Sequence, residues 1–183
     1  MRAEIKKIKQ SLQNNDLKTA AEQILKANHQ IKNYPLLIAL EGIYYGETGD
    51  LDKALNAFAM AAKTMPRDPT LFYNLGAILR AMGRLKAAEE ALQKSLHLNP
   101  FNPLVLFELA QVRTLQGKHN EAIMALFKCI ETASFFFPAY VAITQYLIMD
   151  NQAALAIKLY ETAVAGAPNE PFFRARLAEL KGL

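Results

Sequence analysis

The sequence has no tryptophan, a single cysteine, and only eight glycines and eight prolines in 183 residues. Cys129 alone cannot close an internal disulfide, so nothing in the fold depends on an oxidising compartment. A β-sandwich or barrel needs frequent turns, and so few glycines and prolines argue against one. No apolar run approaches about 18 residues, so no membrane span and no membrane insertion are expected. The opening MRAEIKKIKQSLQ has neither the apolar stretch nor the small-residue cleavage site of a secretory signal. A cytoplasmic location is therefore expected; a periplasmic or membrane-associated one would require an amino-terminal signal that has been removed. There is also no excess of one charge: 21 Lys and Arg are interleaved with 17 Asp and Glu, for a net +4, which speaks against nucleic acid as a partner. What is present is 52% hydrophobic residues, enough to bury a sizeable interior, and helices are the expected means.

The chain repeats itself. Pro35, Pro69, Pro103 and Pro171 lie 34 or 68 residues apart, and Pro66, Pro100 and Pro168 keep the same spacing three places earlier. Cutting at this period gives units 1–34, 35–68, 69–102, 103–136 and 137–170 without insertion, followed by a remnant, 171–183. The twentieth position of each unit is alanine (Ala20, Ala54, Ala88, Ala122, Ala156), where only a small side chain lets two helices cross closely. The twenty-fourth is large (Ile24, Phe58, Leu92, Leu126, Tyr160), and the twenty-seventh is small (Ala27, Ala61, Ser95, Cys129, Ala163). Small beside large at helical spacing predicts interlocking packing. Proline at the first position suits the first turn of a helix, with Asp68 and Asn102 as N-caps. Gly49, Gly83 and Gly117, or Asn15 and Asn151, accept the left-handed conformation that ends a helix. Each unit thus reads as a helical hairpin.

The pattern resembles the tetratricopeptide repeat family. It is clearest in the third unit, with Phe72, Leu75, Gly76, Leu79, Ala88, Leu92, Ser95 and Pro100 at the motif positions. The second unit departs at Glu41, where leucine is usual, and the fourth at Arg113 and Ser134. The first is degenerate in its opening helix, with Glu4, Lys7 and Ser11 at core slots, as an end repeat tolerates. The resemblance implies an all-α fold, a right-handed α-solenoid of five helical hairpins plus a C-terminal capping helix over 171–183. The whole chain, 1–183, then forms a single domain.

No catalytic constellation emerges. His29, His97 and His119 lie far apart, with no metal-chelating spacing; Cys129 occupies a small core slot and reads as a packed thiol rather than a nucleophile. The glycines form no phosphate loop. Glu89 and Glu90 read as supports for Lys86 and Lys94 in helical ion pairs. Neither an enzyme, a metal nor a cofactor is expected.

The resemblance implies instead that side chains at positions two, five, six, nine, twelve and thirteen of each first helix line a peptide-binding groove. The residues singled out there are Lys6, Lys9, Leu36, Leu40, Ile43, Tyr73, Asn74, Arg80, Leu104, Phe107, Glu108, Gln111, Val141 and Gln145; Leu115, Ile148 and Met149 stand at further lining positions. Such a groove is apolar in its middle and basic at its amino-terminal end, suited to an apolar or amphipathic peptide or helix of another protein. The competing reading is that Leu36, Leu40, Ile43 and Phe107 only fill gaps between hairpins. The family's clamp for a chaperone EEVD tail is absent, since Ala39, Ile43, Leu104 and Glu108 stand where its Lys, Asn and Arg belong. A second surface, Phe101 with Phe135, Phe136 and Phe137, suggests a self-assembling scaffold, a homo-oligomer held by an aromatic edge; alternatively these rings tuck between the fourth and fifth hairpins.

Overall fold

The structure, a computed structural model, describes residues 2–30 and 34–182; residues 31–33 at the end of the first unit and the last residue of the expected capping segment lie outside them. Eleven helices and no strands occur among the described residues: α1 Arg2–Gln13, α2 Leu17–Gln30, α3 Pro35–Glu47, α4 Leu51–Thr64, α5 Pro69–Ala81, α6 Leu85–Leu98, α7 Pro103–Leu115, α8 His119–Thr132, α9 Phe137–Met149, α10 Ala153–Gly166 and α11 Pro171–Lys181. From the second unit to the fifth, first helices fill positions 1–13 and second helices positions 17–30, in the phase set by the prolines.

The helix ends follow from local chemistry. Asp68 accepts a hydrogen bond from Thr70 N at 2.9 Å, and Asn102 accepts from Leu104 N at 3.1 Å, so both expected N-caps close their helices. The five interhelical turns hold Asn15, Gly49, Gly83, Gly117 and Asn151 at positive φ. Ala20, Ala54, Ala88, Ala122 and Ala156 have no exposed surface, which is what equivalent close helix crossings require. At Gly76 a Cβ would stand 2.6 Å from Leu92 Cγ, so the eighth position of that hairpin admits no side chain without movement of a branch point.

The chain divides into two compact units, Met1–Phe101 and Asn102–Leu183, at the border of the third and fourth repeats. In the first, α1–α2, α3–α4 and α5–α6 pair as hairpins, and α1, α3 and α5 adjoin in sequence. The degenerate α1 still buries an apolar side, Ile5, Ile8 and Leu12, and its buried Ser11 donates to Gln23 Oε1 at 3.3 Å. Glu41, the departure from leucine, accepts a hydrogen bond from Asn28 Nδ2 of the preceding hairpin. In the second unit α7–α8 and α9–α10 pair, and α11 closes on α10. Arg113, the other departure, donates to the Glu121 carbonyl at 3.3 Å and lies 3.6 Å from the Glu121 carboxylate.

The end of the second unit is aromatic. Phe173, 1% exposed, lies 4.8 Å from the Tyr140 ring, and Phe172 stacks on Phe137 at 4.3 Å. Tyr160, fully buried, completes the cluster with Leu180 and half-buried Leu177. Aromatic rings therefore hold α11 against the last hairpin.

Candidate binding surface

In the first unit the inner positions singled out range from closed to open. Leu40 is 2% exposed and belongs to the core joining the first two hairpins, together with Ile5, Ile8, Leu12 and Leu37, so it cannot meet a ligand. Its placement in a groove is corrected: the gap-filling alternative holds for it. Leu36 and Ile43 are half-buried against the same core. Tyr73, Asn74 and Arg80 on α5 are half-buried, while Lys6 and Lys9 on α1 stand in solvent.

The second unit differs. Leu104 is 52% exposed on α7, and the lining positions at the carboxyl ends of α7 and α9 are open, with Leu115 at 58%, Ile148 at 42% and Met149 at 79%. Along α9, FPAYVAITQYLIM, there is no charged residue; Val141 and Ala142 are half-buried and Gln145 is exposed. Gln111 and Phe107 are half-buried on α7, the latter 5.3 Å from the Phe136 ring in an edge-on contact that draws α7 toward the start of α9. The Tyr146 hydroxyl bonds the Thr114 hydroxyl, which itself donates to the Ala110 carbonyl at 2.8 Å, and so ties the carboxyl half of α9 to α7. Glu108 is a further correction. At 7% exposed it lies within the protein rather than on an accessible lining.

Position in the repeat pointed to Leu115, Ile148 and Met149 as to Leu40, and exposure shows that these later positions, twelve and thirteen, are open where Leu40 at position six is closed. A recess of about 240 Å3 between the start of α8 and the end of α9, lined by His119, Asn120, Ile123, Tyr146, Met149 and Asp150, had no sequence signal, since it is shaped by two successive hairpins. Cys129 is buried, with its thiol pushed up to about 11 by desolvation, and it donates to the Pro103 carbonyl at 3.3 Å. Ser95 repeats that contact one unit earlier, donating to the Pro69 carbonyl at 2.8 Å. Lys94 stands over the Phe72 ring at 4.1 Å.

The expected aromatic edge separates into two classes. Phe136 and Phe137 are half-buried: Phe136 meets Phe107 of the fourth hairpin, as the tucked reading expects, whereas Phe137 stacks on Phe172 of α11 rather than between the fourth and fifth hairpins. Phe101 at 73% and Phe135 at 58% remain exposed, although Phe135 stacks at 6.3 Å on Phe173.

Repeated helical hairpins with an accessible lining of aliphatic and amide side chains define a class of protein that works by holding other chains. The tetratricopeptide repeat family profile matches residues 40–103 and 78–133, more than half the sequence, and the chain belongs to that family: its fold is an all-helical solenoid of tetratricopeptide repeats. Among curated proteins it is 26% identical over 123 residues to human Superkiller complex protein 3, a match covering 67% of this chain and only 8% of that much longer protein. Among solved structures, MamA superposes with a TM-score of 0.73 at 22% identity, covering 85% of this chain and 91% of that one. The first repeat domain of Spaghetti (RPAP3), bound to the HSP90 peptide SRMEEVD, superposes with a TM-score of 0.59 at 19% identity over 61% of this chain and 88% of that one.

Proposed function

We propose that this chain is a non-catalytic cytoplasmic adaptor whose second unit holds an apolar or amphipathic segment of another protein along α7 and α9. The observation carrying this reading is the row Leu104, Leu115, Ile148 and Met149, aliphatic side chains left in solvent at inner-facing repeat positions beside an uncharged helix. Large side chains held wet lose roughly 1.5 to 3 kcal/mol each relative to burial, so a row of them favours a covering partner. Gln111 and Gln145 supply amides that can meet a peptide backbone. The peptide-bound structure of the Spaghetti (RPAP3) domain supports peptide capture by this fold, while the lack of cations at Ala39, Ile43, Leu104 and Glu108 argues against an acidic chaperone tail here. Quantitative affinity capture tests the reading: partners retained by the parent are lost from Leu115→Glu/Met149→Glu, whose helicity stays intact. Equal retention on both would refute it.

A second reading, self-assembly, rests on exposed Phe101 and Phe135. It predicts a mass that rises with concentration in light scattering and falls in Phe135→Ser; a constant monomer mass removes it.

A further inference from the structure

The recess in the second unit has a chemistry that the aliphatic row does not account for. Its lining comes from two successive hairpins: His119, Asn120 and Ile123 from the start of α8, Tyr146 and Met149 from the end of α9, and Asp150, the C-cap of α9. Met149 belongs both to the row and to the recess. At about 240 Å3 the recess falls short of the roughly 300 Å3 at which small-molecule pockets begin, and it has room for one large side chain. Tyr146 is half-buried and held on two sides: its hydroxyl bonds the Thr114 hydroxyl, and its ring lies 5.8 Å from the His119 ring. Asp150 is exposed, the one acid of the lining, and its carboxylate accepts from the neutral Gln152 amide. No Lys or Arg lines the recess. The first unit shows what such a pair of groups takes. There a ring and a carboxylate, Tyr45 and Asp50, share one cation: Lys53 Nζ stands 5.3 Å from the Tyr45 ring centroid and 2.6 Å from Asp50 Oδ2.

We propose that the recess takes an arginine or lysine side chain of the partner protein, carried on the same segment whose apolar side covers Leu115, Ile148 and Met149. This rests on the adaptor reading and adds a second chemical requirement to its partner. Arginine fits best: its planar guanidinium lies on an aromatic face such as that of Tyr146, its donors suit a carboxylate such as that of Asp150, and its apolar stem packs on aliphatic side chains such as Ile123 and Met149. Other side chains fit less well. An acidic one meets Asp150 with like charge. A wholly apolar one covers the Asp150 carboxylate and the Asn120 amide without giving either a partner.

Panning a phage-displayed library of random peptides of about 12 residues on the full chain, at about pH 8 where an ordinary imidazole is neutral, tests this. The proposal expects enriched peptides to carry an Arg or Lys among apolar residues, and their binding to fall about tenfold on Asp150→Asn, the loss of one charge-assisted contact. Replacing that cation by glutamine in a recovered peptide is expected to cost as much on the parent and nothing further on Asp150→Asn, because the two groups touch. No enrichment on the parent, enriched peptides without Lys or Arg, equal binding to Asp150→Asn, or two losses that simply add would each overturn it. Leu115→Glu reports separately on the adaptor reading. Basic peptides lost on Asp150→Asn but kept on Leu115→Glu uphold the recess and remove the row, whereas apolar peptides lost on Leu115→Glu but kept on Asp150→Asn uphold the row and overturn the recess.

Discussion

Asn28 and Glu41 show how a repeat absorbs a departure from its own rule. They occupy the twenty-eighth position of the first unit and the seventh of the second, slots that hold Ile130 and Ile143, or Val164 and Leu177, at later junctions. Where those junctions are apolar, this one carries a hydrogen bond between two half-buried polar side chains. Replacing one partner strands the other, at a cost of about 1 to 3 kcal/mol, whereas replacing both restores the packing of later junctions. Urea unfolding is therefore expected to show Asn28→Leu and Glu41→Leu each destabilised, with the double variant within about 1 kcal/mol of the parent or above it. Sequence alone exposed Glu41 as an exception but not its compensation, because the partner lies on another hairpin and is itself unremarkable. The alanine slots, by contrast, were fully legible, since a close crossing admits no other side chain at those positions.

Cys129 gives a second test at this scale. Burial raises its thiol from 9.0 to about 11, so between those values the folded chain keeps a proton that the unfolded chain has lost. Stability conferred by the protonated thiol is thus complete below pH 9 and declines as pH rises toward 11. The loss is on the order of 2 to 3 kcal/mol. Cys129→Ser should preserve the contact with the Pro103 carbonyl, as Ser95 makes with Pro69, and should flatten this part of the pH profile relative to the parent. An unchanged difference between the two proteins from pH 8 to 11 would contradict the assignment.

At the scale of elements, the helix borders were readable because proline at the first position and glycine or asparagine at the turn each impose one backbone conformation. The existence of α11 was readable from the restart of the pattern, but its means of attachment was not, since the rings come from the loop before α9 and from α9, α10 and α11. Phe173 touches the Phe135, Phe137, Tyr140 and Tyr160 rings. Phe173→Ala is expected to cost about 3 to 5 kcal/mol in the second unit and to raise the binding of an apolar dye. Hydrogen exchange would place the loosening in α9 to α11, with α1 to α4 unchanged.

For the molecule as a whole, the period established the architecture but left the surface chemistry unresolved. Position in the repeat does sort the surface once exposure is known: position six is buried at Leu40 and Glu108, whereas position thirteen is exposed in every unit and carries a large aliphatic side chain at Leu115 and Met149. Cys129 is buried away from this surface, while His119 lines the recess beside Met149.

The most direct measurement is methyl NMR of the labelled methionines during titration with the segment obtained by partner capture. The account predicts that Met149, on the inner helix α9, shifts and broadens while Met60 and Met124, exposed on the second helices α4 and α8, do not. Shifts at Met124 or Met60 with Met149 unmoved would place binding on the second helices and contradict it.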